Sequence, residues 1–128
     1  MHPLRVLIAS AEQPFRTLLR AELREAGYDA TGASSLASGL HQPAVAGDRG
    51  PVRLVIVDDC TAAVPALLEA ARAQYPGSRF LLVQAGAGAP PPGGWDRVLR
   101  RPVTIGEIVA AVRELAPLPP ELRRPIDE

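Results

Sequence analysis

The sequence contains no lysine: all fourteen basic residues among its 128 are arginine, and fourteen aspartates and glutamates balance them to a formal net charge of zero. With the signs in balance and no Lys/Arg run, no general field draws the chain to nucleic acid, and the all-arginine usage reads as coding bias rather than chemistry. Cysteine is nearly absent. The lone Cys60 cannot close an internal disulfide and has no CxxC or Cys/His partner, which excludes a disulfide framework and a structural zinc site. His2 and His41 have no recognisable ligand partners. No apolar stretch approaches the roughly 20 residues of a membrane span, and Met1-His2-Pro3 does not open a signal peptide, so the cytoplasm is the expected location. The first apolar run is followed by no glycine-rich phosphate loop, and no Ser/His/Asp or Cys/His set is legible, so catalysis is not expected.

What is present is a regular alternation. Hydrophobic residues make up 47% of the chain and charged residues 22%, which suits one domain with a single core. Short apolar runs occur at Arg5 to Ala9, about Asp29 to Gly32, Leu54 to Asp58, Phe80 to Gln84 and Arg97 to Leu99. Several are continuously apolar, as parallel strands covered on both faces are. Between them lie helical stripes. Phe15, Leu18, Leu19, Leu23 and Ala26 form one, with Pro14 in its first turn and Gly27 as its stop. Val64, Leu67, Leu68 and Ala71 form another, with Thr61 as N-cap and Pro76-Gly77 as its end. Thr104 and Glu107 read as a capping box before Ile108, Val109, Val112 and Leu115.

The connections are uneven. Ser34 to His41 fits a short helix, followed by a loop containing Pro43, Gly47 and Gly50. Between the fourth and fifth runs, where a crossover helix belongs, the chain reads Ala85-Gly86-Ala87-Gly88-Ala89-Pro90-Pro91-Pro92-Gly93-Gly94, a composition that cannot hold a normal helix. Trp95 beside it either covers exposed core or anchors a partner. Residues 1–116 form the expected domain, and 117–128, with Pro119, Pro120 and Pro125, form a Pro-rich tail or linker stub. The whole predicts a doubly wound α/β fold with a five-stranded parallel sheet in the order 2-1-3-4-5 and the fourth helix reduced or missing.

In such a sheet, function sits at the carboxyl ends of the strands. Leu54-Val55-Ile56-Val57 runs into Asp58-Asp59, whereas Val6-Leu7-Ile8-Ala9 ends in Ser10-Ala11-Glu12. An acid emerging from a buried strand is costly unless something compensates it. Arg5-Val6-Leu7-Ile8 followed by Glu12, Leu54-Val55-Ile56-Val57-Asp58, and Arg101-Pro102, in that order, resemble the response-regulator receiver domain, a flavodoxin-like family, over about Leu4 to Leu115.

The resemblance implies a phospho-acceptor at Asp58 and a pocket built from Ser10, Ala11, Glu12, Asp59, Gln84 and Arg101. Two acids after the first strand hold Mg²⁺ in the family; Ser10 and Ala11 stand at those positions, leaving Glu12 and Asp58 as the only metal ligands of a defective site. Gln84 stands where a hydroxyl senses the phosphoryl group, Arg101 where a lysine does, and Val98 where a switch aromatic sits. Arg101 is expected to pair with Asp58 as a bidentate guanidinium-carboxylate contact.

These departures imply a pseudo-receiver in two-component-type signalling, acting on a protein partner such as a histidine kinase, an effector or another regulator, with no cofactor. The competing reading is a phosphorylatable receiver in which Glu12, Asp58 and Asp59 bind Mg²⁺, and the third is a small-molecule-binding α/β domain in the same crevice. Homodimerisation through the last helix, Ile105 to Leu115, is a further expectation from its broad apolar stripe. Arg97, Arg100 and Arg101 form either a surface for an acidic partner or a solvated edge.

Overall fold

A computed structural model of the chain describes residues 3–43, 49–58, 65–86, 88–90 and 93–119. The strands are β1 (Arg5–Ala9), β2 (Asp29–Ala33), β3 (Val52–Asp58), β4 (Arg79–Gln84) and β5 (Arg97–Arg100), and the helices α1 (Gln13–Glu25), α2 (Leu36–Gly39), α3 (Pro65–Gln74) and α4 (Ile105–Leu115). The strands pair in parallel in the expected order, β2-β1-β3-β4-β5.

Successive residues of each strand face opposite sides of the sheet, and both sides are apolar. On one side Val6, Ile8, Ala30, Leu54, Ile56, Leu81 and Val83 meet α1 and α4 through Leu19, Leu23, Ile108 and Val112. On the other, Leu7, Ala9, Val55, Val57, Phe80 and Leu82 meet α2 and α3 through Leu36, Leu68 and Ala71.

Local signals set the helix ends. Gly27 has φ 107°, and the amides of Gly27 and Tyr28 donate to the carbonyls of Arg24 (3.1 Å) and Leu23 (3.0 Å), closing α1 as a Schellman turn. At α4 both arms of the capping box form: Glu107 N donates to Thr104 Oγ1 at 3.0 Å and Thr104 N to Glu107 Oε1 at 2.8 Å. The expected Ser34–His41 helix contracts to α2, four residues capped by the Ser35 hydroxyl, because Gly39 and Pro43 give no support for longer propagation. Thr61 and Val64, expected at the start of α3, lie outside the described residues, as do Asp59 and Cys60.

Among the described residues between β4 and β5 there is no helix. The connection folds as a loop tied down by side chains. Trp95 packs edge-on against Phe80, with ring centroids 6.5 Å apart, and Asp96 returns two bonds to the Phe80 backbone, Phe80 N to Oδ2 at 2.8 Å and Asp96 N to Phe80 O at 2.9 Å. Arg72 of α3 lies 4.4 Å over the Phe80 ring and donates to the carbonyls of Gly93 and Gly94. Trp95 therefore covers the core at the place the missing helix leaves open. Beyond α4, Leu118 is buried in the same core as Ile108, and Tyr28 Oη donates to Ala116 O at 2.7 Å.

Candidate functional site at the carboxyl end of the sheet

Asp58 ends the central strand β3 and is only 3% exposed. The β1–β3 register sets Ala9 beside Val57, which brings Ser10, one residue on, next to Asp58. Ser10 is fully buried; its Oγ donates to Asp58 Oδ2 at 3.0 Å and accepts from the Glu12 amide at 3.1 Å. A hydroxyl with both donor and acceptor used this way holds the acid and the start of α1 in one arrangement.

Arg101 enters from the end of β5. Its amide donates to Gln84 O at 2.8 Å, and its Nη2 stands 3.3 Å from Asp58 Oδ2 and 3.5 Å from Glu12 Oε1. The guanidinium carbon sits 4.7 Å from the centroid of the Phe15 ring. The expected bidentate fork on Asp58 is thus corrected: one nitrogen bridges two acids, because the guanidinium is held over Phe15 and Asp58 Oδ2 already receives the Ser10 hydroxyl. The two arms differ in weight. Glu12 is 59% exposed, so its arm contributes about 0–1 kcal/mol. Asp58 is buried, and depriving it of a partner costs about 1–3 kcal/mol.

The remaining expected pocket residues fall as follows. Ala11 is exposed beside the cluster and supplies no polar atom. Asp59 lies outside the described residues. Gln84 is buried but turned away: Asp58 is registered with Val83, so Gln84 shares its side of β4 with Phe80 and Leu82, opposite the face that Asp58 continues. Its amide nitrogen donates to the carbonyls of Gly88 (3.2 Å) and Ala89 (3.3 Å), and its oxygen accepts from Arg100 at 3.0 Å. Gln84 therefore shapes the β4–β5 loop. Sequence reasoning missed Phe15 as the platform under Arg101 and Arg16 as the donor to Ser10 O at 2.6 Å. Both sit in the first turn of α1, where Phe15 shows in the sequence only as one apolar residue of a stripe.

No protein-family model matches the chain, and no curated protein matches its sequence. Solved structures do match. A CheY-like response-regulator receiver domain protein from Methanospirillum hungatei JF-1 aligns with TM-score 0.73 at 20% identity, covering 88% of this chain and 92% of that one. The receiver domain of an HD domain-containing protein from Pseudomonas fluorescens Pf-5 aligns with TM-score 0.72 at 22% identity, covering 90% and 94%. An orphan response regulator of H. pylori aligns with TM-score 0.71 at 18% identity, covering 87% and 94%. The chain has the response-regulator receiver fold.

Within that receiver fold, the described part of the strand-end cluster is arranged around a guanidinium. Mg²⁺ requires near-octahedral oxygen ligands at about 2.0–2.1 Å. Here the two acid oxygens that converge, Asp58 Oδ2 and Glu12 Oε1, converge on a nitrogen that is already cationic, while Ser10 Oγ is committed to Asp58 and Ala11 offers nothing. Among the described residues no group of three His, Cys, Asp or Glu side chains is arranged to hold a metal. Among the same residues no helix of this receiver fold is long and apolar enough to cross a membrane.

Proposed function

We propose that this receiver fold serves as a pseudo-receiver: a protein-interaction module of two-component-type signalling whose acceptor acid, Asp58, is neutralised from within by Arg101, so that phosphorylation switching is weak or lost. The observation that carries this reading is the placement of Arg101 Nη2 between the buried Asp58 and Glu12, with the guanidinium stacked on Phe15. Phosphoryl transfer to a carboxylate depends on positioning and charge neutralisation by metal ions. At this site a side chain supplies neutralising charge, and it lies on one of the two oxygens of the acceptor acid. The partner is a protein, whether a histidine kinase, an effector or another regulator, and the module's output is docking rather than catalysis.

One observation favours the competing phosphorylatable reading: Asp58 and Glu12 reach a common point, as two ligands of one cation do. Intact mass after incubation with Mg²⁺ and acetyl phosphate, with beryllofluoride titration alongside, separates the two readings. The pseudo-receiver shows no adduct and no beryllofluoride binding. An adduct present in the native chain and lost in Asp58→Ala overturns it.

A further inference from the structure

Three arginines of α1, Arg16, Arg20 and Arg24, recur at every fourth residue and so lie in one row along the helix. The row runs beside β2, the edge strand. The outer two are engaged: Arg16 Nη1 donates to Ser10 O at 2.6 Å and Arg24 Nε to Ala30 O at 3.1 Å. The middle one, Arg20, makes no ion pair or side-chain hydrogen bond among the described residues, and neither Arg16 nor Arg20 has an acidic partner there. Like charges at this spacing weaken a helix, so the row gains nothing for α1 itself.

Arg16, Thr17 and Arg20 line one cavity of about 250 Å³, and its fourth wall is Gly32 of β2. The wall is open because it is glycine: a Cβ there would stand 2.9 Å from Arg16 Cγ. Asp29 N donates to Leu4 O and Ser10 N to Ala33 O, so the odd-numbered residues of β2 direct their peptide groups to β1 and Gly32 directs its N–H to the free edge. Two arginines, a threonine and a glycine thus line one hollow in a chain with no net charge, and the Gly32 N–H opens at the sheet edge beside it.

We infer that this hollow, between α1 and the edge of β2, binds an anion carrying phosphoryl oxygens. The donor chemistry is that of phosphate recognition, in which arginine forks supply charge-assisted hydrogen bonds and a hydroxyl and a backbone N–H fix the orientation. The site is separate from Asp58 and does not depend on the pseudo-receiver reading. It shares only Arg16 with that cluster, through the bond to Ser10 O.

The test is calorimetric titration of the full chain with inorganic phosphate, pyrophosphate and ADP at physiological ionic strength, where nonspecific surface attraction is screened over ~8 Å. Saturable binding is expected, weakened about tenfold or more in Arg20→Gln, an exposed helical position that tolerates glutamine. Gly32→Ala keeps every charge but displaces Arg16, and weakens binding as well. Binding of phosphate or pyrophosphate identifies a free anion as the source, and binding of ADP alone identifies a nucleotide; either supports the site. No saturable binding by any of the three, or binding that survives both substitutions, overturns it.

Discussion

The two faces of the sheet are covered by different means. One carries α1 and α4, helices of 13 and 11 residues whose apolar stripes supply almost all of the cover. The other carries, among the described residues, the four-residue α2 and the ten-residue α3, with Leu40 and Trp95 from the connections packed beside them. On that face arginines do what helical hydrogen bonding does on the first: they bind loop carbonyls. Arg72 holds Gly93 and Gly94; Arg100 holds Gly86 (3.3 Å) and Gly88 (2.8 Å); the buried Arg5 holds Pro43 (3.2 Å) and Gly50 (2.9 Å). Arg49 closes the second connection with a two-pronged contact to Asp29, both distances 2.9 Å. A helix satisfies its own backbone, whereas a loop over a core needs outside donors for its carbonyls, and the long arginine side chain supplies them.

If the loop-covered face is packed as tightly as the helical one, Phe80→Ala is the most damaging single change. It removes a fully buried ring together with its contacts to Trp95 and Arg72, and a loss of about 3–5 kcal/mol in chemical denaturation is expected. Trp95→Ala tests the cover itself, because the ring is half-buried; the expected loss is about 1–3 kcal/mol, and an unchanged denaturation midpoint would show that the loop does not shield the core. On the helical face Thr104→Ala removes one arm of the capping box and should cost about 1 kcal/mol.

The smallest effect is a pH dependence confined to the loop-covered face. The hydrogen bond from Arg49 holds the Asp29 carboxyl below its usual range. A carboxyl whose folded pKa is lowered contributes stability above its ordinary value of about 3.9, and that contribution is lost as pH falls through the lower folded value. Asp29→Asn should therefore narrow the stability difference between neutral and strongly acidic solution, and denaturation of both chains across that range measures it.

Legibility followed the kind of interaction involved. Helices α1 and α4 were plain in the sequence because apolar spacing, Gly27 and the Thr104/Glu107 pair act within a few residues of one another. The lack of a crossover helix among the described residues between β4 and β5 was equally plain, since a run of Gly and Pro excludes it locally. Asp58, Glu12 and Arg101 could be named as neighbours because each stands at or shortly after a strand end on the same rim of the sheet. Gln84 could not be placed by the same argument. Which side of β4 continues the Asp58 side of β3 depends on the register of the two strands, and that is fixed by packing across the sheet.

By itself, the sequence determined the element order, the two apolar faces, the helix boundaries set by caps and glycine, and the acid at the end of β3, since each of these rests on spacing along the chain. Only the tertiary structure decided that a single guanidinium nitrogen answers both Asp58, 43 residues away, and Glu12, 89 residues away, that Phe15 lies beneath it, and that Arg20 faces Gly32 across a hollow. Contacts between residues so far apart in the chain form where strand register and helix docking bring their elements together, and no local preference of either residue specifies that meeting.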